Sequence, residues 1–218
     1  MATAANIKAP VTRWWWVRHA VVPNPEGRCY GQSDMDCDVS DEVLFRHQAA
    51  LLPRDAVWVT SGLVRAIKTA DTLHAHGAHR PEQPLREPRF NEQHFGQWQG
   101  LTYSDIAANH GENHLFWLGP PTNRPPGGES FVDLMERASE AIREINETHK
   151  GRDIVAVTHG GTIRAALALA MGLSADAAVR FEAENVSLTL IEHHEQADPA
   201  HAWRIVFTNL LPRLVAAA

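Results

Sequence analysis

The sequence predicts an α/β protein: a three-layer α/β/α sandwich on a mostly parallel central sheet, closed by an antiparallel C-terminal hairpin. Two patterns predict it. Short apolar runs that end abruptly in polar residues alternate with longer stretches of helical period, the order expected when helices cover both faces of a parallel sheet. Near the C-terminus the period changes, and two β-rich runs follow one another with only a short polar segment between them. No internal repeat, low-complexity tract or Ser/Gly-rich linker divides the chain, so residues 1–218 read as one domain.

The first strand is expected at residues 13–19, where Trp14, Trp15, Trp16 and Val17 run straight into Arg18 and His19. A second follows at AVWVTS, Ala56 to Ser61, and the helical stretch after it, LVRAIKTADTLHAHG, stops near Gly77. The Pro- and Gly-dense loop from Gly119 to Ser130 leads into the clearest helix, Ser130 to about Lys150. Phe131, Leu134, Met135, Ala138, Ile142 and Ile145 recur there at spacings of three and four and form one apolar stripe. Ser130 with Asp133 resembles a capping box at its start. DIVAVTHGG, Asp153 to Gly161, is the third strand, its run Ile154 to Val157 apolar throughout, as in a strand buried on both faces. GGTIRAALALAMGL opens a helix at the glycine pair and stops near Gly172. VSLTLIEHH and AWRIVFTNL, separated by a segment containing Asp198 and Pro199, make the closing hairpin.

Composition narrows the function. Lys and Arg total 20 and Asp and Glu 26, a net charge of −6, which argues against nucleic acid or an anionic membrane surface as a partner. Any bound anion must be held by local groups. The two cysteines, Cys29 and Cys37, form no CxxC pair or disulfide framework, and the first residues lack the apolar stretch of a secretory signal. No run approaches the length of a membrane span, so a soluble, cytoplasmic protein is expected. No metal spacing such as HExxH occurs, and nothing in the pattern specifies an oligomeric state.

Ligands of open parallel sheets bind at the carboxyl ends of the strands. Those ends carry Arg18 and His19, then Ser61 and Arg65, then Thr158, His159, Gly160 and Gly161. Such a set suits a phosphoryl group. Arginine forks bind its oxygens bidentately, and the amides of a helix opening at Gly160 add uncharged donors. Cations beside His19 disfavour imidazolium, so its ring is expected to stay neutral with a lone pair available to attack phosphorus. Arg18, Arg65 and His159 would hold the equatorial oxygens.

Arg18-His19, TSGLVRAIKTA, NEQHFGQWQG, PPGGES and VTHGGTIRAAL, in this order, resemble the histidine phosphatase superfamily, the phosphoglycerate mutase-like family, from about Trp14 to Phe207. The resemblance implies that His19 is a nucleophile forming phosphohistidine, that Arg18, Arg65, His159 and Gly160 surround the phosphate, and that Glu92 donates a proton to the leaving oxygen. A bound phosphate anion would raise the carboxyl pKa of Glu92 toward the useful range. Gly96 and Trp98 read as turn and packing residues. No metal or organic cofactor is implied, and the implied partner is a small-molecule phosphate ester.

The chain also departs from the family pattern. Ala20, Val22 and Pro25 stand where the family usually has Gly, Ser or Thr, and Asn, with Asn24 one position early. Ala20 would resist a positive φ, and Val22 has no hydroxyl to donate. GRCYGQSDMDCDVS, Gly27 to Ser40, resembles the loop of α-ribazole phosphatase-type members, which would turn Arg28, Tyr30 and Gln32 toward the leaving group. A loop merely docked on the body of the fold would use the same residues. The compact interval from Glu92 to His159 favours hydrolysis over the mutase reaction. Protein phosphohistidine hydrolysis, and phosphate binding without turnover, are the other readings.

Overall fold

The computed structural model describes residues 10–110, 119–195, 197–198 and 201–212. Residues 1–9, and Pro199 of the predicted hairpin connection, lie outside them. Six strands form one sheet in the order β3-β2-β4-β1-β5-β6. These are β1 (Val11–Arg18), β2 (Ala56–Thr60), β3 (Leu85–Arg86), β4 (Asp153–Thr158), β5 (Leu188–His194) and β6 (Trp203–Leu210). β4 runs parallel to both β1 and β2, and β2 parallel to β3. β5 and β6 join antiparallel, as the C-terminal period predicts. Among the described residues the α-helices are α1 (Glu42–Leu51), α2 (Val64–Ala75), α3 (Tyr103–His110), α4 (Phe131–Thr148), α5 (Gly160–Met171) and α6 (Ala175–Ala178).

Strand alternation explains the three layers. Val17, Trp58, Val155 and Val157 point to one face and pack with Phe45 of α1 and Ala66, Ala70 and Leu73 of α2. Trp14, Trp16, Ile154 and Ala156 point to the other and meet Ala141 and Ile142 of α4 and Ile163 and Leu167 of α5. The three tryptophans of β1 divide accordingly. Trp14 and Trp16, two residues apart, stack with ring centroids 5.0 Å apart, and Phe90 meets both edge-on. Trp15 lies across the sheet against Phe207, its indole N–H donating to Asp153 Oδ1 at 2.9 Å.

α4 carries the predicted stripe, with Phe131, Leu134, Ala138 and Ile142 buried. Both arms of its capping box are present: Ser130 accepts from the Asp133 N–H, and the Asp133 carboxylate accepts from the Ser130 N–H. α5 ends at Gly172, whose left-handed φ of 63° closes the last turn.

Candidate active site

Three adjacent strands stop at the same level and pass polar side chains to one rim. His19 follows β1, its N–H donating to Thr158 O at 2.8 Å; Ser61 follows β2, its N–H donating to Val157 O at 3.2 Å. His159 follows β4 as the N-cap of α5. The imidazoles of His19 and His159 come together with centroids 5.1 Å apart, and Ser61 Oγ lies 2.8 Å from His159 Nε2. Both rings are buried, His19 at 1% exposure and His159 at 0%.

Hydrogen bonding and burial set their protonation. His19 Nδ1 lies 2.6 Å from the carbonyl oxygen of Ala20, which can only accept, so Nδ1 carries the hydrogen and Nε2 keeps its lone pair. Burial pushes the His19 pKa down to about 3, and the guanidinium groups of Arg65 and then Arg18 push in the same direction. Desolvation, rather than the neighbouring arginines expected from the sequence, is the larger cause of this neutrality. Burial, then His19 and Arg65, holds His159 well below the ordinary histidine value. Arg18 Nε, Arg65 Nε and His159 Nδ1 are buried without a hydrogen-bond partner in the protein. Three such atoms grouped around one histidine are a local concentration of unsatisfied polar groups.

Arg65, on the first turn of α2, is fully buried. Its Nη1 donates to Ser33 O at 2.9 Å and its Nη2 to Gly31 O at 2.6 Å, while the Tyr30 ring lies 5.1 Å from its guanidinium carbon. The loop reaches it only because residue 31 is glycine. Gly31 has φ +44°, and a Cβ there would stand 2.8 Å from Gln93 O.

Glu92 reaches the rim from the opposite side. Its Oε1 accepts from the Gln93 N–H at 3.0 Å and its Oε2 from the Gly161 N–H at 3.4 Å. One amide of the helix N-terminus, expected to face a bound anion, thus points at this carboxylate. The PPGGES loop holds the Glu92 segment in place. Both backbone groups of Glu129 engage it, the N–H donating to His94 O and the carbonyl accepting from the side-chain Nε2 of Gln93. Its carboxylate takes the His94 N–H and two donors of Arg137, whose guanidinium also reaches Arg89 O at 2.5 Å and Glu92 O at 3.1 Å. Gln32 Nε2 supports the same Glu92 carbonyl at 2.8 Å.

A cavity of about 420 Å³ opens above this floor, with Arg18, Tyr30, Glu92, Tyr103, Arg164 and Glu182 in its walls. Of the residues singled out in the sequence, Gly160 and Tyr30 line it. Arg28 and Gln32 do not. Arg28 is engaged by Glu26 and by the Gly100 carbonyl, 2.6 Å from its Nη1, and Gln32 props the Glu92 backbone. Both are struts of the docked loop. Arg164, Glu182 and the Arg137–Glu129 pair were not singled out from the sequence, although PPGGES and VTHGGTIRAAL contain two of them.

The departures from the family pattern prove local. Ala20 is not among the residues at positive φ, so its methyl adds no strain; it packs in the core and donates its N–H to Thr69 Oγ1 at 2.8 Å. Val22 packs in the same apolar cluster. The Asn24 side chain closes its own turn by bonding the Arg28 N–H and carbonyl. Among the described residues, no group of three or more His, Cys, Asp or Glu side chains could hold a metal ion, and no helix is long and apolar enough to cross a membrane.

The chain is similar in sequence and in fold to known phosphatases. A glucosyl-3-phosphoglycerate phosphatase of Mycolicibacterium vanbaalenii is 34% identical over 185 residues, covering 76% of this chain and 77% of that protein. A metal-independent phosphoserine phosphatase of Arabidopsis thaliana is 31% identical over 166 residues, 73% of this chain and 69% of that one. The solved structure of a mycobacterial glucosyl-3-phosphoglycerate phosphatase superposes with a TM-score of 0.78 at 29% identity, covering 91% of this chain and 99% of that one. The sequence profile of the histidine phosphatase superfamily (branch 1) matches residues 14–206, and the chain belongs to that superfamily.

Proposed function

We propose that the protein hydrolyses a small phosphate monoester through a phosphohistidine at His19. The observation that carries this reading is the buried His19–His159 pair, its centroids 5.1 Å apart, with the lone pair of His19 Nε2 free and unsatisfied atoms on Arg18, Arg65 and His159 around it. Superfamily membership supports it, as do the phosphatase names of the two curated relatives.

His19 Nε2 attacks phosphorus while the ester P–O bond breaks. Arg18, Arg65 and His159 hold the non-bridging oxygens as charge spreads over them. With Ser61 Oγ donating to His159 Nε2, the ring proton sits on Nδ1, the nitrogen left without a partner in the protein, and His159 serves as a donor. Glu92 gives a proton to the departing alkoxide. The resulting carboxylate then takes a proton from water as that water attacks the phosphohistidine, releasing orthophosphate and restoring both groups.

Incubation with ³²P-labelled ester and an acid quench tests the reading. A base-stable, acid-labile phosphoprotein should form and disappear in His19→Ala along with turnover. Glu92→Gln should slow an alkyl phosphate by about 10² to 10⁴ and p-nitrophenyl phosphate far less, because nitrophenolate departs without a proton. Turnover surviving in His19→Ala would mean that water attacks directly.

A further inference from the structure

Val186, two residues before β5, has φ +60°. A β-branched residue rarely adopts the left-handed region, and among the described residues Val186 and Asn209 are the only non-glycine residues there. The Ser187 N–H donates to Glu184 O at 3.1 Å, so residues 184–187 form a β-turn with the positive φ at its third residue. That is type II geometry, in which glycine is usual. Type I differs from it chiefly by a flip of the central peptide. A relaxed type I turn would therefore swing the Val186 N–H away from Arg18 O, to which it donates at 2.9 Å. The surroundings hold the strained form: the Val186 side chain packs in the apolar cluster with Val17 and Ala20, and Gln48 Nε2 donates to Val186 O at 2.6 Å. The segment also takes Arg18 Nη1 on Ala183 O at 2.5 Å and the Arg18 N–H on Ser187 O at 3.4 Å.

The same turn brings the Asn185 side chain to the nucleophile. Its Nδ2 donates to His19 O at 2.8 Å, and at the other end of that peptide the Ala20 N–H donates to Thr69 Oγ1, also at 2.8 Å. The His19–Ala20 peptide is thus held by its oxygen from the turn and by its nitrogen from α2. The next carbonyl along, Ala20 O, is the acceptor that keeps the His19 ring hydrogen on Nδ1. A rotation of the held peptide would carry this carbonyl away from the ring. Resting on the phosphatase reading, we propose that Asn185 is a positioning residue for the nucleophile: the strained turn aims its amide at His19 O, so that the peptide cannot rotate and Nε2 stays turned to phosphorus as a lone pair. Asn185 does not line the cavity above Glu92 and acts through His19. Only a donor serves there, because the carbonyl it meets can only accept. Strain that the rest of the fold sustains at such a place is a form of preorganisation.

Asn185 is half-buried, so replacing it carries little risk to folding. The probe is p-nitrophenyl phosphate, whose leaving group needs no proton, so that Glu92 has no part in the result. Single-turnover formation of phosphohistidine should slow by about 10- to 100-fold in Asn185→Ala, since a misplacement of about 1 Å costs a reacting group on the order of 10²-fold, and KM should change by less than about threefold. Asn185→Asp, of the same size but without the N–H, should lose at least as much. ¹⁵N spectra of the imidazoles, with His19 identified through His19→Ala, read the ring itself. Wild-type protein should show His19 only as the Nδ1–H form and Asn185→Ala a mixture of the two neutral forms, a change that a merely structural contact would not produce. A single-turnover rate and a ring form both unchanged in Asn185→Ala, whatever happens to the melting temperature, overturn the inference. So does a raised KM with an unchanged single-turnover rate, which would place Asn185 in substrate binding. Absence of phosphohistidine in the wild-type protein, with the ring form still dependent on Asn185, would refute the phosphatase reading and leave the positioning contact standing.

Discussion

Gly161→Ala tests the proposed proton donor, Glu92, apart from everything else in the molecule. A Cβ at position 161 would fall 2.3 Å from Glu92 Oε1 and 3.0 Å from Leu134 Cδ1. The first distance is about 1 Å short of ordinary contact, so the carboxylate, the free end of a flexible side chain, must move by about that much. The backbone has no reason to resist. Gly161 is helical and absent from the positive-φ glycines, so alanine adds about 0.5–1 kcal/mol of helix preference, offset in part by the crowding of Leu134. A misplacement of about 1 Å in a catalytic group costs on the order of 10²-fold. Hydrolysis of glycerol 3-phosphate should therefore slow by roughly 10²-fold, p-nitrophenyl phosphate should change by less than about tenfold, and the melting temperature should hold or rise. Steady-state kinetics on the two esters beside a thermal melt decide it. Equal losses on both esters would show that the methyl disturbs the phosphoryl pocket, and no loss on either would show that the position of Glu92 does not matter.

Two further outcomes follow from the electrostatics. The folded pKa of His19, about 3, lies below the ~6.5 of an unfolded histidine, so the unfolded chain takes up its proton first as pH falls. The associated stability is complete above about pH 6.5 and is lost toward pH 3 at up to ~1.4 kcal/mol per pH unit. Urea melts between pH 6 and 4 should show a shallower slope in His19→Asn, and an unchanged slope would contradict a buried neutral ring. Arg137→Met should cost roughly 2–4 kcal/mol, because the half-buried carboxylate of Glu129 is left without its partner. Adding Glu129→Gln should recover part of that stability in chemical denaturation without recovering alkyl-phosphate turnover; full recovery of turnover would free the pair from any part in holding Glu92.

Much of the fold was legible wherever one physical rule dominated. β4 is apolar on both faces because helices cover both, and the stripe of α4 follows from its single buried side. α1 carries no clean apolar stripe because part of its buried face is Gln48, whose Nε2 donates to the carbonyls of Val186 and Leu210. β3 is two exposed residues paired to β2, too short to carry a period. At the site, strand ends sufficed to bring together Arg18, His19, Arg65 and His159. The side chains that reach the cavity from elsewhere depend on loop closure. Arg28 reads as a substrate ligand until Gly100, far along the chain, takes its guanidinium.

The tryptophan strand carries a consequence for how such a protein can change. β1 is flanked by β4 and β5, so the backbone that delivers His19 is paired along both edges and packed by indoles on both faces. Its amides should exchange hydrogen only when the whole domain opens, whereas the segments bearing Tyr30 and Phe95 are short turns on the surface. On the proposed chemistry the reacting nitrogen follows a strand paired along both edges, while Tyr30 and Phe95, which line the cavity, come from segments outside the sheet. Substitutions at those two positions can therefore reshape the cavity wall while the strand that carries His19 keeps its pairing.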